Sequence, residues 1–343
     1  MPSVPPLVGP DAGFLVTSAE LQQRAALAAQ GEEPYREAVA DLLTFAHDAL
    51  VAEPHPEQPL DILGTTGPFV DDTAAAYGLA LAYGLTGDAA DATKAAHHIM
   101  AWVDTTTTTV NACPDSGACQ TSLIISRAAP GFVFAAALLA PSGALSAEDT
   151  ARFKAWLRAI ILPAASRLEN NWGDAGTFTR LAVTAYLEDQ EGFAAAVAKW
   201  RAQQDLIATD GHIPLEVRRE SAGIGYTQEA LDYKVAGAEI AARQGVDLWD
   251  YRGVGGATLR DAVDYLADYW FDPHSWPWYP DPTSPPLSGM WEIAYQHWPT
   301  PAWQPIIEQR RPYDAQGHSA VRWTTLTNGL PFDGSAGDPT PSH

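Results

Sequence analysis

Basic residues are scarce in this chain: 20 Lys and Arg stand against 42 Asp and Glu, a formal net charge of −22 over 343 residues. Nucleic acid and anionic membrane surfaces both call for a basic face, so the composition speaks against either as a partner. It also speaks against a polyanionic ligand unless the few basic residues gather in one cleft. Cysteine is nearly absent, with only Cys113 and Cys119 in NACPDSGACQTS. That loop has no histidine and no second cysteine pair, which argues against zinc. A disulfide across it is expected, and with it a secreted or periplasmic protein. No run of about 18 uninterrupted apolar residues occurs, so no ordinary transmembrane helix is expected. The start, MPSVPPLVGPDAGFLV, lacks the basic-then-apolar pattern of a signal peptide, and its prolines suit either a processed end or a plain tail.

What is present is a large apolar fraction, 46%, with 12 Trp, 12 Tyr and 10 Phe, enough for a sizeable core. Packing is the default role for most of the tryptophans, although Trp also lines sugar-binding grooves. The recurrent pattern is helical. SAELQQRAALAAQ opens on a serine cap. EPYREAVADLLTFAHDALVA sets Tyr35, Val39, Leu42, Leu43, Phe45 and Leu50 broadly on one side. DDTAAAYGLALAYGLTGD stops at Gly87, and AADATKAAHHIMAWVDT follows. Further helices are expected near 121–140, 146–168, 175–187, 190–209, 227–244 and 257–270. Residues 69–104 and 175–209 each read as helix, short turn, helix. Such hairpins in series, without alternating strands, predict an all-α fold, an α/α barrel or toroid. After 270 the chain turns Pro- and aromatic-rich (FDPHSWPWYPDPTSPPLSG). A last helix, MWEIAYQHWP, and an extended tail over 311–343 then complete a C-terminal wrap on one domain spanning 1–343.

Two stretches carry candidate chemistry. LENNWGDAGTFTRLAV, residues 168–183, puts two asparagines and a tryptophan at a helix junction. Asn170 or Asn171 can end one helix and Asp174 start the next, which would make the pair mere caps. DGHIPLEVRRESAGIGYTQEALDYKVAG follows, from residue 210. Here Arg218 and Arg219 precede Tyr226 across a bridge of small residues, which lets backbone approach a ligand; a surface arginine pair beside a packed tyrosine is the plainer alternative.

NNW, then DG-x-x-PLE-x-x-R, then Tyr, together with LALAYGLTGDAADATKAAHHIMAW, AEIAARQGVDLWDY and WEIAYQHWPTP, resembles the alginate lyase-like superfamily over about residues 69–300. The nearest resemblance is to polysaccharide lyase family 38, the glucuronan lyase type, and to family 5, the mannuronate-specific alginate lyases. It implies an α/α barrel and β-elimination in a 4-linked polyuronate. By that pattern Asn171 neutralises the substrate carboxyl group, Arg219 is the arginine before the small-residue bridge, and Tyr226 is the catalytic tyrosine. The chemistry wants these groups. The C5 proton of a uronate is weakly acidic, because the adjacent carboxylate resists more negative charge, and donors on that carboxylate stabilise the enolate-like intermediate. In glucuronate and mannuronate the C5 hydrogen and O4 share a ring face, so one tyrosine can act as base and then acid. No metal or cofactor is needed.

The chain departs from family 5 twice. Trp172 stands where that family has histidine, and Ala222 where it has a second arginine. Both departures favour glucuronan, with polymannuronate next; Trp172 is a candidate for stacking on a sugar. Asn170, Gln120, Arg127, Arg218 and His212 are further candidate substrate contacts, as are Trp291 and Tyr295, which share a helix face at i, i+4. His212 and His297, beside the family motifs, are candidates to replace the lost histidine, ahead of His97 and His98. A polyuronate ligand is expected to gather Arg127, Arg218 and Arg219 in one groove, with Lys234 as a further candidate. The expected partner is an acidic polysaccharide, with no nucleic acid and no membrane, and the protein is expected to be a monomer. Two alternatives remain open: an inverting glycoside hydrolase using two of Asp71, Asp72, Asp174, Glu216 and Glu229, and a non-catalytic carbohydrate-binding relative.

Overall fold

Caps and apolar periodicity set the element order. The computed structural model describes residues 4–314, 317 and 319–332. Its helices are α1 (Ser18–Ala29), α2 (Tyr35–Val51), α3 (Pro68–Thr86), α4 (Ala89–Thr105), α5 (Gln120–Ala128), α6 (Pro130–Leu139), α7 (Ala147–Trp156) and α8 (Leu162–Ala164). They continue with α9 (Asn171–Tyr186), α10 (Gln190–Gln204), α11 (Pro214–Val217), α12 (Gly223–Arg243), α13 (Leu259–Asp268), α14 (Met290–His297), α15 (Gln304–Glu308) and α16 (Thr324–Asn328). Among the described residues the only β pairing is an isolated bridge between Leu60 and Thr109.

The first helix is capped by Thr17, not Ser18: the Thr17 side chain accepts from the Glu20 amide, and Glu20 reaches back to the Thr17 amide. Gly87 ends α3 in the left-handed region at φ 75°, and Asp88 then caps α4 by accepting from Ala90 N at 2.9 Å. That two-residue hinge folds α4 back onto α3. The same device joins α9 to α10, where Asp189 accepts from Gly192 N at 3.0 Å.

The helices form the α/α toroid expected from the hairpins. α3 packs against α4 and α6, and α9 packs against α10, α5 and α12. α3, α6, α9 and α12 are buried on nearly every side, whereas α4 buries one stripe, Ala92, Ala95, Ile99 and Trp102. Inner helices are apolar all round because they have no solvent face; outer ones need only one apolar stripe. α5 and α6 together are long and apolar enough to cross a bilayer, but 89% of that window is buried inside the protein. The tryptophans mostly pack: Trp102, Trp200, Trp249, Trp291, Trp303 and Trp323 are among the largest fully buried side chains.

The C-terminal region differs from the extended tail expected beyond 311. Residues 320–328 are buried, and α16 packs between α1, α2 and α14. Arg24 donates to the carbonyls of Leu326 and Thr327, and Asn328 Nδ2 donates to Gln296 Oε1 at 2.7 Å. Burial of these polar groups is offset by such bonds, which an extended tail in water would not need. The rest of the expected tail, 333–343, lies outside the described residues.

Candidate active site

The first turn of α9 is placed by glycine. A Cβ on Gly173 would lie 1.7 Å from the Leu168 carbonyl oxygen, and one on Gly176 would lie 1.9 Å from that of Ser166. Only glycine lets residues 165–168 cross so close to the helix, where Arg180 holds the Ser166 and Ala165 carbonyls at 2.6 Å. The crossing brings Asn171 to the start of α9, four residues before the position expected from Asp174-led capping. Asn170 occupies the cap position, but only its carbonyl bonds the helix, accepting from Gly173 N at 2.7 Å and Asp174 N at 3.0 Å. Neither asparagine side chain is a cap.

Asn171 instead faces two carboxylates. Its backbone N–H donates to Glu216 Oε1 at 2.7 Å, and its Nδ2 donates to Glu229 Oε2 at 2.9 Å. The positive end of α9 suits both acids. Glu216 is fully buried, and burial pushes its carboxyl up to about 7 against the lowering effect of the Asn171 N–H. Glu229 also forms an ion pair with buried Arg127 of α5. Arg219 is half-buried, its guanidinium carbon 4.1 Å from the Tyr226 ring centroid, with Glu216 Oε2 at 3.8 Å.

Tyr226 and Glu229 open onto a cleft of about 320 Å³. One wall is Ala222 and the α12 stripe Tyr226, Glu229, Asp232 and Tyr233; the other is Thr283, Pro286, Leu287, Tyr313 and Ser319. The Pro-rich strap is pinned there by Thr283 N, which donates to the Ser221 carbonyl at 2.8 Å. Asp232 accepts hydrogen bonds from Ser288 and from Gln228 Nε2, yet burial pushes its carboxyl up to about 7. Burial likewise raises the Tyr233 hydroxyl to about 12 and lifts that of Tyr313. Arg322 lies behind this wall, donating to the Ser319 carbonyl, and burial lowers its guanidinium to about 10. A second cavity, about 270 Å³ between residues 10–19 and α6, is lined mainly by apolar groups and has only Asp11 charged.

Several sequence expectations are corrected. The basic residues do not share one groove. Lys234 is buried against Asp174 at 2.9 Å, because its place on α12 turns it toward α9; Arg218 is exposed. Arg127 reaches the site only behind Glu229. Trp172 is 9% exposed and packs in the core, so it offers no sugar platform. Trp291 packs edge-on against Trp270 and Trp303, and Tyr295 against Phe332 while accepting from Gln304 Nε2 at 2.7 Å; their shared face looks inward. Gln120 does not line the cleft, lying two turns before Arg127 on α5.

Nor does a histidine replace the missing one among the described residues. His212 Nδ1 lies 2.6 Å from Asp210 Oδ1 and its ring packs 4.5 Å from Trp278. His297 stacks on Trp249, His97 meets Glu53 at the surface, and buried His98 meets Asp72. Asp72 also accepts from Trp102 Nε1, and Asp174 is taken by Lys234, so both are spent as structural groups and unsuited to hydrolysis. In the sequence Glu229 is one of several acids without a motif, and no motif there marks Asp232, Tyr233 or Tyr313 as site residues. The helical period could have found two of them: with Tyr226 in a cleft, 229 and 233 follow on the same face.

The alginate lyase family model matches residues 64–276. Alginate lyase A1-III from Sphingomonas species A1 shares the fold with a TM-score of 0.74 at 18% identity, over 96% of this chain and 99% of that one. A tyrosine-to-phenylalanine variant of alginate lyase A1-III complexed with tetrasaccharide gives 0.72 at 18% identity, over 95% and 98%. An alginate lyase from Bacteroides ovatus gives 0.67 at 19%, over 93% and 99%. No protein of curated function matches the sequence.

Proposed function

The chain belongs to the alginate lyase family and is a polysaccharide lyase, and from that premise we propose that it cleaves a 4-linked polyuronate by syn β-elimination, with glucuronan the favoured substrate and polymannuronate next. The observation that carries this reading is Arg219 lying 4.1 Å from the ring centroid of Tyr226, at a cleft edge where the tyrosine is half-buried. The cation on the ring face holds the tyrosine at the cleft edge, where a uronate can meet both groups together.

In this mechanism the Tyr226 phenolate takes the C5 proton of the uronate. The electron pair moves onto the C6 carboxylate as an enolate-like intermediate, then closes the C4–C5 double bond as the C4–O4 bond breaks. The Tyr226 hydroxyl returns its proton to O4, leaving an unsaturated uronate at the new non-reducing end. Donors held around the C6 carboxylate stabilise the intermediate, and Asn171 supplies one, its amide reaching Glu229 one turn after Tyr226 on α12. The disulfide between Cys113 and Cys119 supports a secreted or periplasmic setting, where such polymers are met.

The test is absorbance near 235 nm, where the unsaturated product absorbs, on glucuronan, polymannuronate and polyguluronate. Tyr226→Phe is expected to lower the rate by roughly 10²–10⁴-fold with the fold intact. No absorbance on any polymer, with new reducing ends instead, would overturn the lyase reading.

A further inference from the structure

Resting on the lyase reading, we infer that the carboxylate of Glu229 occupies, in the free protein, the seat of the substrate's own carboxylate, so that a uronate enters by exchanging one carboxylate for another on Asn171 and Arg127. Asn171 Nδ2 donates to one Glu229 oxygen at 2.9 Å, and Arg127 Nη2 pairs with the other. These two donors, an amide and a guanidinium, are a carboxylate-binding set. They are sealed from solvent: Asn171 is 0% and Arg127 4% exposed, while the Glu229 side chain keeps 16% and lines the cleft. Glu229 is therefore the lid of the set, one helical turn after Tyr226 on the same face of α12. A uronate whose C5 proton faces Tyr226 can bring its C6 carboxylate to that set only where Glu229 now stands.

The set is also incompletely used. Arg127 Nε is buried without a hydrogen-bond partner among the described residues, so Glu229 meets one edge of the guanidinium and leaves a donor unmet. A carboxylate arriving from the cleft can take the Nε–Nη fork in a bidentate bond, which favours the exchange. The arrangement also bears on the charge problem. A chain of net charge −22 keeps this buried cation neutralised until a substrate supplies its own anion. Glu229 thus sets specificity: a neutral sugar cannot replace the charge that Arg127 would lose.

The experiment compares wild type with Glu229→Gln, which keeps the shape but drops the charge. Absorbance at 235 nm on glucuronan and polymannuronate is expected to show KM falling roughly tenfold, with kcat changed less than about threefold. In a Tyr226→Phe background, calorimetry with a glucuronan tetrasaccharide and its mannuronate counterpart is expected to show binding tightened by roughly the same factor. Collapse of kcat at unchanged KM would mark Glu229 as the base and overturn the exchange. Unchanged or weaker binding, or no binding to any variant, would overturn it too. Should Glu229→Gln fail to fold, Glu229→Ala frees the same donors and is expected to shift binding in the same direction. Loss of fold in both overturns the inference, because a group that substrate displaces cannot be indispensable to folding. If wild type produces no unsaturated product, the lyase reading fails by itself, while the binding arm still judges Glu229.

Discussion

Lys234 Nζ lies 2.9 Å from Asp174 Oδ1, both side chains 2% exposed, and this pair ties the helix that begins at Asn171 to the helix that carries Tyr226. Burial pushes the Asp174 carboxyl up to about 6 despite the lysine beside it, so desolvation outweighs the attraction. The pair holds two elements in register and faces no ligand.

Removing one partner is expected to be costly. Lys234→Met leaves Asp174 buried and unpaired and should lower stability by about 3–5 kcal/mol. The double variant Asp174→Leu with Lys234→Met should recover most of that loss. Denaturant unfolding of both singles and the double gives the cycle; a Lys234→Met protein as stable as wild type would contradict a structural role.

Gly173→Ala tests the crossing that places Asn171. Its Cβ would fall 1.7 Å from a backbone oxygen, which no side-chain rearrangement relieves. We expect a loss of about 3 kcal/mol or more and a fall in kcat beyond that of an unrelated helix glycine such as Gly237, whose nearest neighbours are side-chain atoms. Circular dichroism separates fold from site. Full activity and unchanged melting would show that residues 165–168 can move aside.

The buried acids set a pH dependence. Asp174, Glu216 and Asp232 all have carboxyls raised above the usual range, to about 6, 7 and 7. Their neutral forms are favoured in the fold, so their contribution is fully present below the unfolded values near 4. It is lost as pH rises through about 6–7. Asp232→Asn is expected to shrink the stability difference between pH 5 and pH 8 by on the order of 2 kcal/mol. An unaltered difference would mean that Asp232 ionises equally in both states.

The Cys113–Cys119 bond closes a short loop just before α5, the helix that carries Arg127. Closing so small a loop is worth about 2 kcal/mol through the unfolded chain. Reduction is expected to lower the melting temperature by a few degrees, and a Cys113→Ser, Cys119→Ser protein should match the reduced form. Equal melting with and without reductant would remove the bond's stabilising role.

The toroid was legible because helix periodicity and caps are local. Gly87, Asp88 and Asp189 punctuate the hairpins, and the apolar stripe of α4 needs no partner to be recognised. The candidate site was legible in part. NNW and the Arg219–Tyr226 spacing could be picked out, but not that Trp172 turns inward or that Trp291 and Tyr295 present their shared face to the core. Periodicity tells which residues lie together on a helix; it does not tell which side of the ring that face meets. Lys234 was likewise indistinguishable from a groove lysine until α9 was set against it.

The sequence by itself determined the helices, the turns between them, the cysteine loop and the types of group available to a uronate. Tertiary structure alone decided that Glu229 meets Asn171 and Arg127, residues 58 positions apart in the first case and drawn from three different helices in all. Charge pairing of that kind depends on distance and burial, and neither exists until α5, α9 and α12 have packed.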